Sequence, residues 1–313
     1  MDMLNEKEMF FQAIPGRIRA ACLEWFCFRR KTMYRIAEKK VLNKEVTLFR
    51  VEAPLIAKKA KPGQFIILRV AEGGERIPLT VADTDPEKGL VTIIFQIVGK
   101  TTDQLSRLEE GEALLDFVGP LGVASDLNGI KKACVIGGGL GVAIAYPQAK
   151  ALHALGAKVD VISGFRRKDL VILEEEFTAV SDRFFVCTDD GSYGFHGFVS
   201  QKLEELLKDG AEYDIVIAIG PLPMMKAVCD ITDEPRIKTV ISMNSIMLDG
   251  TGMCGACRLT VNGETKFACV DGPDFDGHLV DFSEAVERGK MYRKEEKESM
   301  ERHRCRLLGG AES

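Results

Sequence analysis

The sequence predicts a β-barrel domain followed by a doubly wound α/β domain, with a cysteine-bearing loop near its C-terminal end. Three observations carry this. Between about residues 33 and 128, short runs rich in Val, Ile, Phe and Thr are separated by turn signals. From about residue 129, strand-like apolar runs alternate with runs at helical spacing, as in a parallel sheet covered by helices. Beyond residue 245, Asp249-x4-Cys254-x2-Cys257-x11-Cys269 sets a carboxylate and three thiols at metal-ligand spacing.

The length of 313 residues suits about two domains. The apolar share of 46% excludes a disordered or collagen-like chain, and a net charge of −5 argues against nucleic acid as a partner. No apolar run approaches the roughly 18–20 residues that span a bilayer, so no membrane segment is expected. Residues 1–32 hold no signal-peptide core, because Arg17, Arg19, Glu24 and Arg29-Arg30 interrupt every apolar stretch. This segment, with Trp25, Cys22 and Cys27, is expected to be a disordered leader or a mis-assigned start, with translation beginning at Met33. A cytoplasmic location follows, and with it thiols or metal ligands in place of structural disulfides.

The barrel is expected over residues 33–128, with strands near 46–51, 64–70 and 90–96. Lys61-Pro62-Gly63, Gly73-Gly74 and residues 83–89 punctuate them. The α/β domain is expected over 129–245. Its strands fall at 133–136, 158–163, 184–188, 213–219 and 239–243, and its helices at 142–155, 170–180 and about 200–207. Residues 246–281 form the cysteine segment, and 282–313 a charged, solvated helical tail in which Cys305 has no chemical role.

Gly137-Gly138-Gly139-Leu140-Gly141 lies between a strand and a helix, where glycine permits a tight turn and a helix N-terminus favours pyrophosphate. The alternative is a generic α/β turn. Gly220-Pro221-Leu222-Pro223-Met224-Met225 follows another strand at the edge where open α/β sheets bind ligands, although both methionines suit a core equally. Gly99-Lys100-Thr101 is no phosphate loop, since Ile94 stands where that motif needs glycine. For the cysteine segment, the spacing alone leaves two sites open. One is a 2Fe–2S cluster on Asp249, Cys254, Cys257 and Cys269; the other is a zinc ion on the three cysteines and His278. His153, His196 and His303 are scattered and read as surface or structural residues.

Taken together, the domain order and these segments resemble the ferredoxin–NADP reductase superfamily. The resemblance covers about residues 33–281 and points to the branch with a C-terminal 2Fe–2S cluster. That branch includes the electron-transfer subunit of dihydroorotate dehydrogenase and the small subunit of NADH-dependent reduced ferredoxin:NADP oxidoreductase. The resemblance implies that the barrel binds FAD through Arg76-Ile77-Pro78-Leu79-Thr80. Thr80 is then the catalytic hydroxyl near flavin N5, with Pro78 and Leu79 beside it. Arg76 meets the pyrophosphate, although it stands one residue farther from Thr80 than in the commonest pattern. It further implies that Val98, Gly99, Thr101 and Thr102 approach the flavin phosphates and that Gly119-Pro120-Leu121-Gly122 closes the barrel.

By the same resemblance, Gly137, Gly138, Gly139, Gly141, Gly220, Pro221 and Met224 receive NAD(P)H as substrate. The flavoprotein setting favours iron–sulfur over zinc. The dihydroorotate type carries Cys at the first ligand position, whereas the oxidoreductase small subunit uses Asp plus three Cys, so Asp249 favours the latter. Implied partners are a larger flavoprotein iron–sulfur subunit and, through that complex, ferredoxin. The alternatives are the dihydroorotate role or a non-catalytic electron wire. NADH is expected over NADPH, against the counter-signal of Arg166-Arg167 after the strand at 158–163.

Overall fold

The computed structural model describes residues 34–309, and the expected leader at 1–32 lies outside the described residues. Its first strands are β1 (Tyr34–Asn43), β2 (Val46–Glu52), β3 (Phe65–Arg69), β4 (Arg76–Thr80), β5 (Asp83–Asp85), β6 (Leu90–Gln96), β7 (Ala113–Leu114) and β8 (Asp116–Leu121). They form an antiparallel five-stranded sheet, β5-β6-β2-β1-β7, and a three-stranded sheet, β4-β3-β8, packed face to face as a barrel. Ile36, Phe49, Val51, Ile66, Leu68, Ile93, Phe95 and Phe117 fill the interior. Each such buried side chain stabilises the fold by roughly 1.5–3 kcal/mol.

Strand β3 faces two ways because successive side chains on a strand point to opposite sides. Ile66 and Leu68 enter the barrel core, while Phe65 and Ile67 join a second core that also contains Met243, Met247, Cys257 and Cys269. Gly119-Pro120-Leu121 turns out to be the end of β8, and Gly122, at φ 76°, makes the turn that leaves the barrel. A short helix, α1 (Lys100–Ser106), follows β6.

The second domain contains β9 (Lys132–Gly138), α2 (Gly141–Ala154), β10 (Lys158–Phe165), β11 (Arg183–Thr188), β12 (Phe195–His196), α3 (Val199–Lys208), β13 (Ile215–Ile219), α4 (Leu222–Asp233) and β14 (Lys238–Ser242). Its sheet runs β12-β11-β10-β9-β13-β14 in parallel. All five residues of β13 are buried, as expected for a strand covered on both faces. The strand order reverses between β9 and β13, which opens a crevice at the carboxyl ends of those strands.

The expected helix at 170–180 is a correction. A 3-10 turn at Lys168–Leu170 gives way to extended Val171, and a helix forms only over Glu174–Thr178. Leu173, at φ 58°, breaks the path, and three glutamates then open the helix at the end its dipole favours.

The remaining elements are β15 (Arg258–Val261), β16 (Glu264–Phe267), β17 (Asp274–Asp276), α5 (Phe282–Arg288) and α6 (Arg293–Gly309). The hairpin β15–β16 carries the cysteine loop, and β17 adds antiparallel to β14 as the edge of the main sheet. The expected single solvated tail helix is therefore two helices. Asp281 caps α5 by accepting from the Ser283 and Glu284 N–H groups at 2.9 and 3.0 Å. Glu284 in turn accepts from the Thr260 N–H at 2.8 Å, which ties α5 to β15. Tyr292, at φ 65°, separates α5 from α6. α6 returns to the barrel, where His303 meets Asp103 of α1 at 2.9 Å. Among the described residues, no helix is long and apolar enough to cross a membrane.

Candidate active site and cluster loop

At the crevice, β9 ends in Gly137 and Gly138 and α2 begins at Gly141. Gly139 sits at φ 57°, a left-handed conformation that glycine adopts without strain, and its N–H donates to Gly164 O at 2.8 Å. Gly141 touches the next strand so closely that a Cβ there would lie 2.1 Å from Ile219 O. The first turn of α2 therefore rests directly on β13, and the helix N-terminus stands at the end of the sheet, where its dipole favours a pyrophosphate.

Gly220 and Pro221 turn from β13 into α4 on the other side of the crevice. A Cβ at Gly138 would meet Met224 Sδ at 2.4 Å, and one at Gly220 would meet Met224 Cε at 2.7 Å. Met224 thus lies across both glycine turns, whereas Met225 is buried in the core. Met224 also packs against the edge of that core. Arg166 and Arg167 stand just past β10 beside this crevice; Arg167 pairs with Asp169 at 3.1 Å.

On the barrel, β4 pairs with β3 so that Thr80 opposes Phe65, Leu79 opposes Ile66 and Pro78 opposes Ile67. Arg76 lies at the far end of β4, its Nη2 3.5 Å from Asp116 Oδ2, an oxygen that Arg69 Nε also contacts at 2.7 Å. Asp116 therefore aligns two guanidinium groups along one sheet edge. Gly99 precedes α1 in an extended conformation, with Val98 exposed beside it. Thr102 Oγ1 accepts from the Val98 and Gly99 N–H groups at 3.0 Å each. Thr101 is buried and its hydroxyl donates to Glu75 at 2.8 Å. Both threonine hydroxyls are thus engaged within the protein and shape the turn. The Glu75 contact carries no sequence signal, because it joins the turn before β4 to α1 across 26 residues.

The cysteine loop brings its four expected ligands together as two pairs. The Cys254 thiol donates to Asp249 Oδ1 at 3.3 Å, and Cys257 Sγ lies 3.2 Å from Cys269 Sγ. Asp249 and Cys254 are at the surface, while Cys257 and Cys269 are buried. The loop is seated on the barrel at Gly250, where a Cβ would lie 2.7 Å from Leu121 and 2.8 Å from Ile67. Arg288 of α5 holds its far side through Ala256 O at 2.9 Å.

Burial opposes the charge of Asp249, but hydrogen bonds from the Thr251 N–H and the Cys254 thiol outweigh it and hold the carboxyl below its ordinary range. Burial, then the adjacent Cys257, pushes the Cys269 thiol up to about 12, so without a metal this thiol keeps its proton at neutral pH.

Among the described residues, no three His, Cys, Asp or Glu side chains gather around a point suited to a single ion. His278, the fourth ligand of the zinc alternative, is engaged elsewhere, with its Nε2 3.2 Å from Ile237 O and its Nδ1 3.5 Å from Asp233. Two pairs of anionic ligands in one loop fit a two-iron cluster, each iron taking one pair, better than they fit zinc.

Comparison with known proteins agrees with this arrangement. Residues 244–281 match the family described as the iron-sulfur cluster binding domain of dihydroorotate dehydrogenase B. A Clostridium beijerinckii protein, described only as an uncharacterized protein in the adh 3' region, is 53% identical over 84% of this chain and 92% of its own. The Thermotoga maritima homolog of the dihydroorotate dehydrogenase B (NAD(+)) electron transfer subunit is 46% identical over 85% of this chain and 94% of its own. A solved structure of an NADH-dependent reduced ferredoxin-NADP oxidoreductase, studied for flavin-based electron bifurcation, superposes with a TM-score of 0.82. It is 45% identical and covers 87% of this chain and 98% of that one. The chain belongs to the family of dihydroorotate dehydrogenase B electron transfer subunits, ferredoxin-reductase-like proteins with a C-terminal iron–sulfur domain.

Proposed function

We propose that the chain passes electrons between NAD(P)H, FAD and a 2Fe–2S cluster, as the small subunit of a ferredoxin:NADP oxidoreductase complex of the electron-bifurcating kind. The observation that carries this is the double role of β3. Its partner β4 bears Arg76 to Thr80, and its outward residues Phe65 and Ile67 share a core with Cys257 and Cys269. Arg76, Pro78 and Thr80 stand opposite Arg69, Ile67 and Phe65, so the expected flavin contact and the expected cluster loop share one face of the β3–β4 pair.

When bound, the flavin takes a hydride from the nicotinamide and releases electrons singly to the cluster. The protein positions these groups. The first turn of α2 holds the dinucleotide pyrophosphate, and Met224 with Pro221 bounds the crevice on the α4 side. Arg76 and the turn before α1 hold the flavin phosphates, and the Thr80 hydroxyl orients the ring. Asp249, Cys254, Cys257 and Cys269 would hold the cluster, which would supply a one-electron acceptor. Asp249 favours that complex over the dihydroorotate role, with a larger flavoprotein iron–sulfur subunit as partner and ferredoxin reached through it.

Anaerobic purification followed by a visible spectrum and metal analysis tests the proposal. One flavin and about two irons per chain are expected. Zinc without flavin would refute it. Reduction of an artificial acceptor by NADH with the isolated chain distinguishes a catalytic subunit from a passive electron wire.

A further inference from the structure

Just before β3, four parts of the chain meet at one carboxyl group. Asp274 opens β17, on the return leg of the cysteine segment. Its Oδ2 accepts from the Ser125 hydroxyl at 2.5 Å and from Gln148 Nε2 at 3.0 Å, and that amide also donates to Ser125 Oγ at 3.0 Å. Ser125 lies in the linker leaving the barrel, Gln148 on α2, and Ser242 on β14 is the register partner of Asp274. Gly63, in the turn that enters β3, approaches so closely that a Cβ there would lie 2.2 Å from Ser125 Oγ and 3.1 Å from Asp274 Oδ2. Beside this junction the Val123 N–H donates to Gly272 O at 2.6 Å.

We propose that Asp274 is a positioning residue whose carboxyl latches the cysteine segment to the entry of β3 and to α2. The latch holds the cysteine segment at a set place against the outward face of β3. Its consequence for electron passage rests on the proposed function; the latch itself does not.

The groups facing the carboxyl are Ser125 from the linker, Gln148 from α2 and Ser242 from β14, with Gly63 contributing backbone alone, so no charged group acts on it. Asp274 Oδ1 and Gln148 Oε1 are both sealed from solvent without a hydrogen-bond donor among the described residues. Burial pushes the Asp274 carboxyl up. The Ser125, Ser242 and Gln148 donors favour the charged form but only partly offset burial, so the fold holds the proton more strongly than the unfolded chain does. The latch therefore closes with the neutral acid and loosens as pH rises.

The test compares the full chain with Asp274→Asn and Asp274→Ala, because asparagine keeps the shape and supplies an N–H where the acid holds its proton. Two readouts need no cofactor: hydrogen exchange over residues 268–276 and Tm against pH. The folded-state pKa lies above the ordinary value of 3.8, so this group's stability contribution is complete below that value and declines as pH rises through the folded-state value. The wild type is expected to lose Tm relative to Asp274→Asn as pH rises, and Asp274→Ala to exchange faster at every pH. In stopped flow, Asp274→Ala should leave flavin reduction by NADH unchanged. Cluster reduction should slow roughly tenfold, given that misplacement by about 1 Å costs on the order of 100-fold in oriented reactions. Asparagine behaving like alanine, or alanine matching the wild type in exchange and pH profile, overturns the latch. Unchanged cluster reduction in Asp274→Ala overturns its positioning role. Absence of flavin and iron defeats the proposed function instead, and exchange and Tm still decide the latch.

Discussion

Replacing Gly141 with alanine tests the crevice most directly. A Cβ at this position would stand 2.1 Å from Ile219 O and 2.7 Å from Ile219 C, where ordinary contacts begin at 3.4 Å. The shortfall of 3.4 − 2.1 = 1.3 Å falls on backbone, so no side chain can rotate away, and α2 must lift from β13. Overpacking of this kind costs typically 1–3 kcal/mol, and an obstacle of backbone puts the cost near the upper end, about 3 kcal/mol. At an unfolding entropy of roughly 2.1 cal/mol/K per residue, 313 residues convert that to a Tm loss of about 5 °C. Lifting α2 also withdraws the N–H groups of its first turn from the dinucleotide, so the KM for NADH should rise. Gly139→Ala is the control. A Cβ there meets nothing within 4 Å, so only the left-handed backbone at φ 57° is penalised, by roughly 1–2 kcal/mol. Scanning calorimetry and NADH titration of the two variants provide the comparison. Equal Tm and KM in Gly141→Ala and the wild type would show that α2 does not rest on β13 as described.

Other outcomes follow from the same geometry. Asp249→Ala should make the cluster labile, and Asp249→Cys should keep it with an altered EPR spectrum; an Ala variant with an unchanged cluster removes Asp249 from the ligand set. Thr80→Ala should retain FAD but slow flavin reduction by NADH, by less than the roughly 100- to 1,000-fold lost with an oxyanion-hole donor, as read by stopped flow. NADH should exceed NADPH in kcat/KM, and a strong NADPH preference would instead assign Arg166 and Arg167 a 2′-phosphate. Asp103 is held below its ordinary range first by Arg107 and also by His303, against the effect of burial. Its contribution to stability is present above the unfolded value of 3.8 and is lost as pH falls through the lower folded value. His303→Ala should accordingly speed hydrogen exchange in α6, and unchanged exchange would show that the ion pair does not hold that helix.

Much of the site is local in sequence and was legible there. The turn Gly137 to Gly141 is a strand-to-helix junction whose function depends on glycine itself. Asp249, Cys254 and Cys257 lie within a few residues of one another, so their spacing already marked a candidate ligand set, with iron–sulfur and zinc both open. Strand periodicity in the barrel and apolar runs in the sheet likewise reflect which faces are buried, a property carried by each residue. Where local signals competed, the sequence misled. Residues 170–180 have helical apolar spacing, yet the backbone at Leu173 confines the helix to Glu174–Thr178.

What only the tertiary structure decided are contacts between distant segments that follow no periodic pattern. The reversal of strand order between β9 and β13 brings Gly138 and Gly220 under one methionine. The fold of the hairpin sorts four ligands into two pairs, with Cys269 returned to Cys257. The pairing of β4 with β3 sets Thr80 on the same face as Phe65, the side that packs with the cysteine segment, and the three-residue β17 completes the sheet and carries Asp274 to Ser125 and Gln148. Composition, spacing and hydropathy describe how each segment meets solvent or its immediate neighbours. Meetings of neutral and acidic side chains from four separate segments depend on how the chain closes in space, and that closure is set by packing of the whole core.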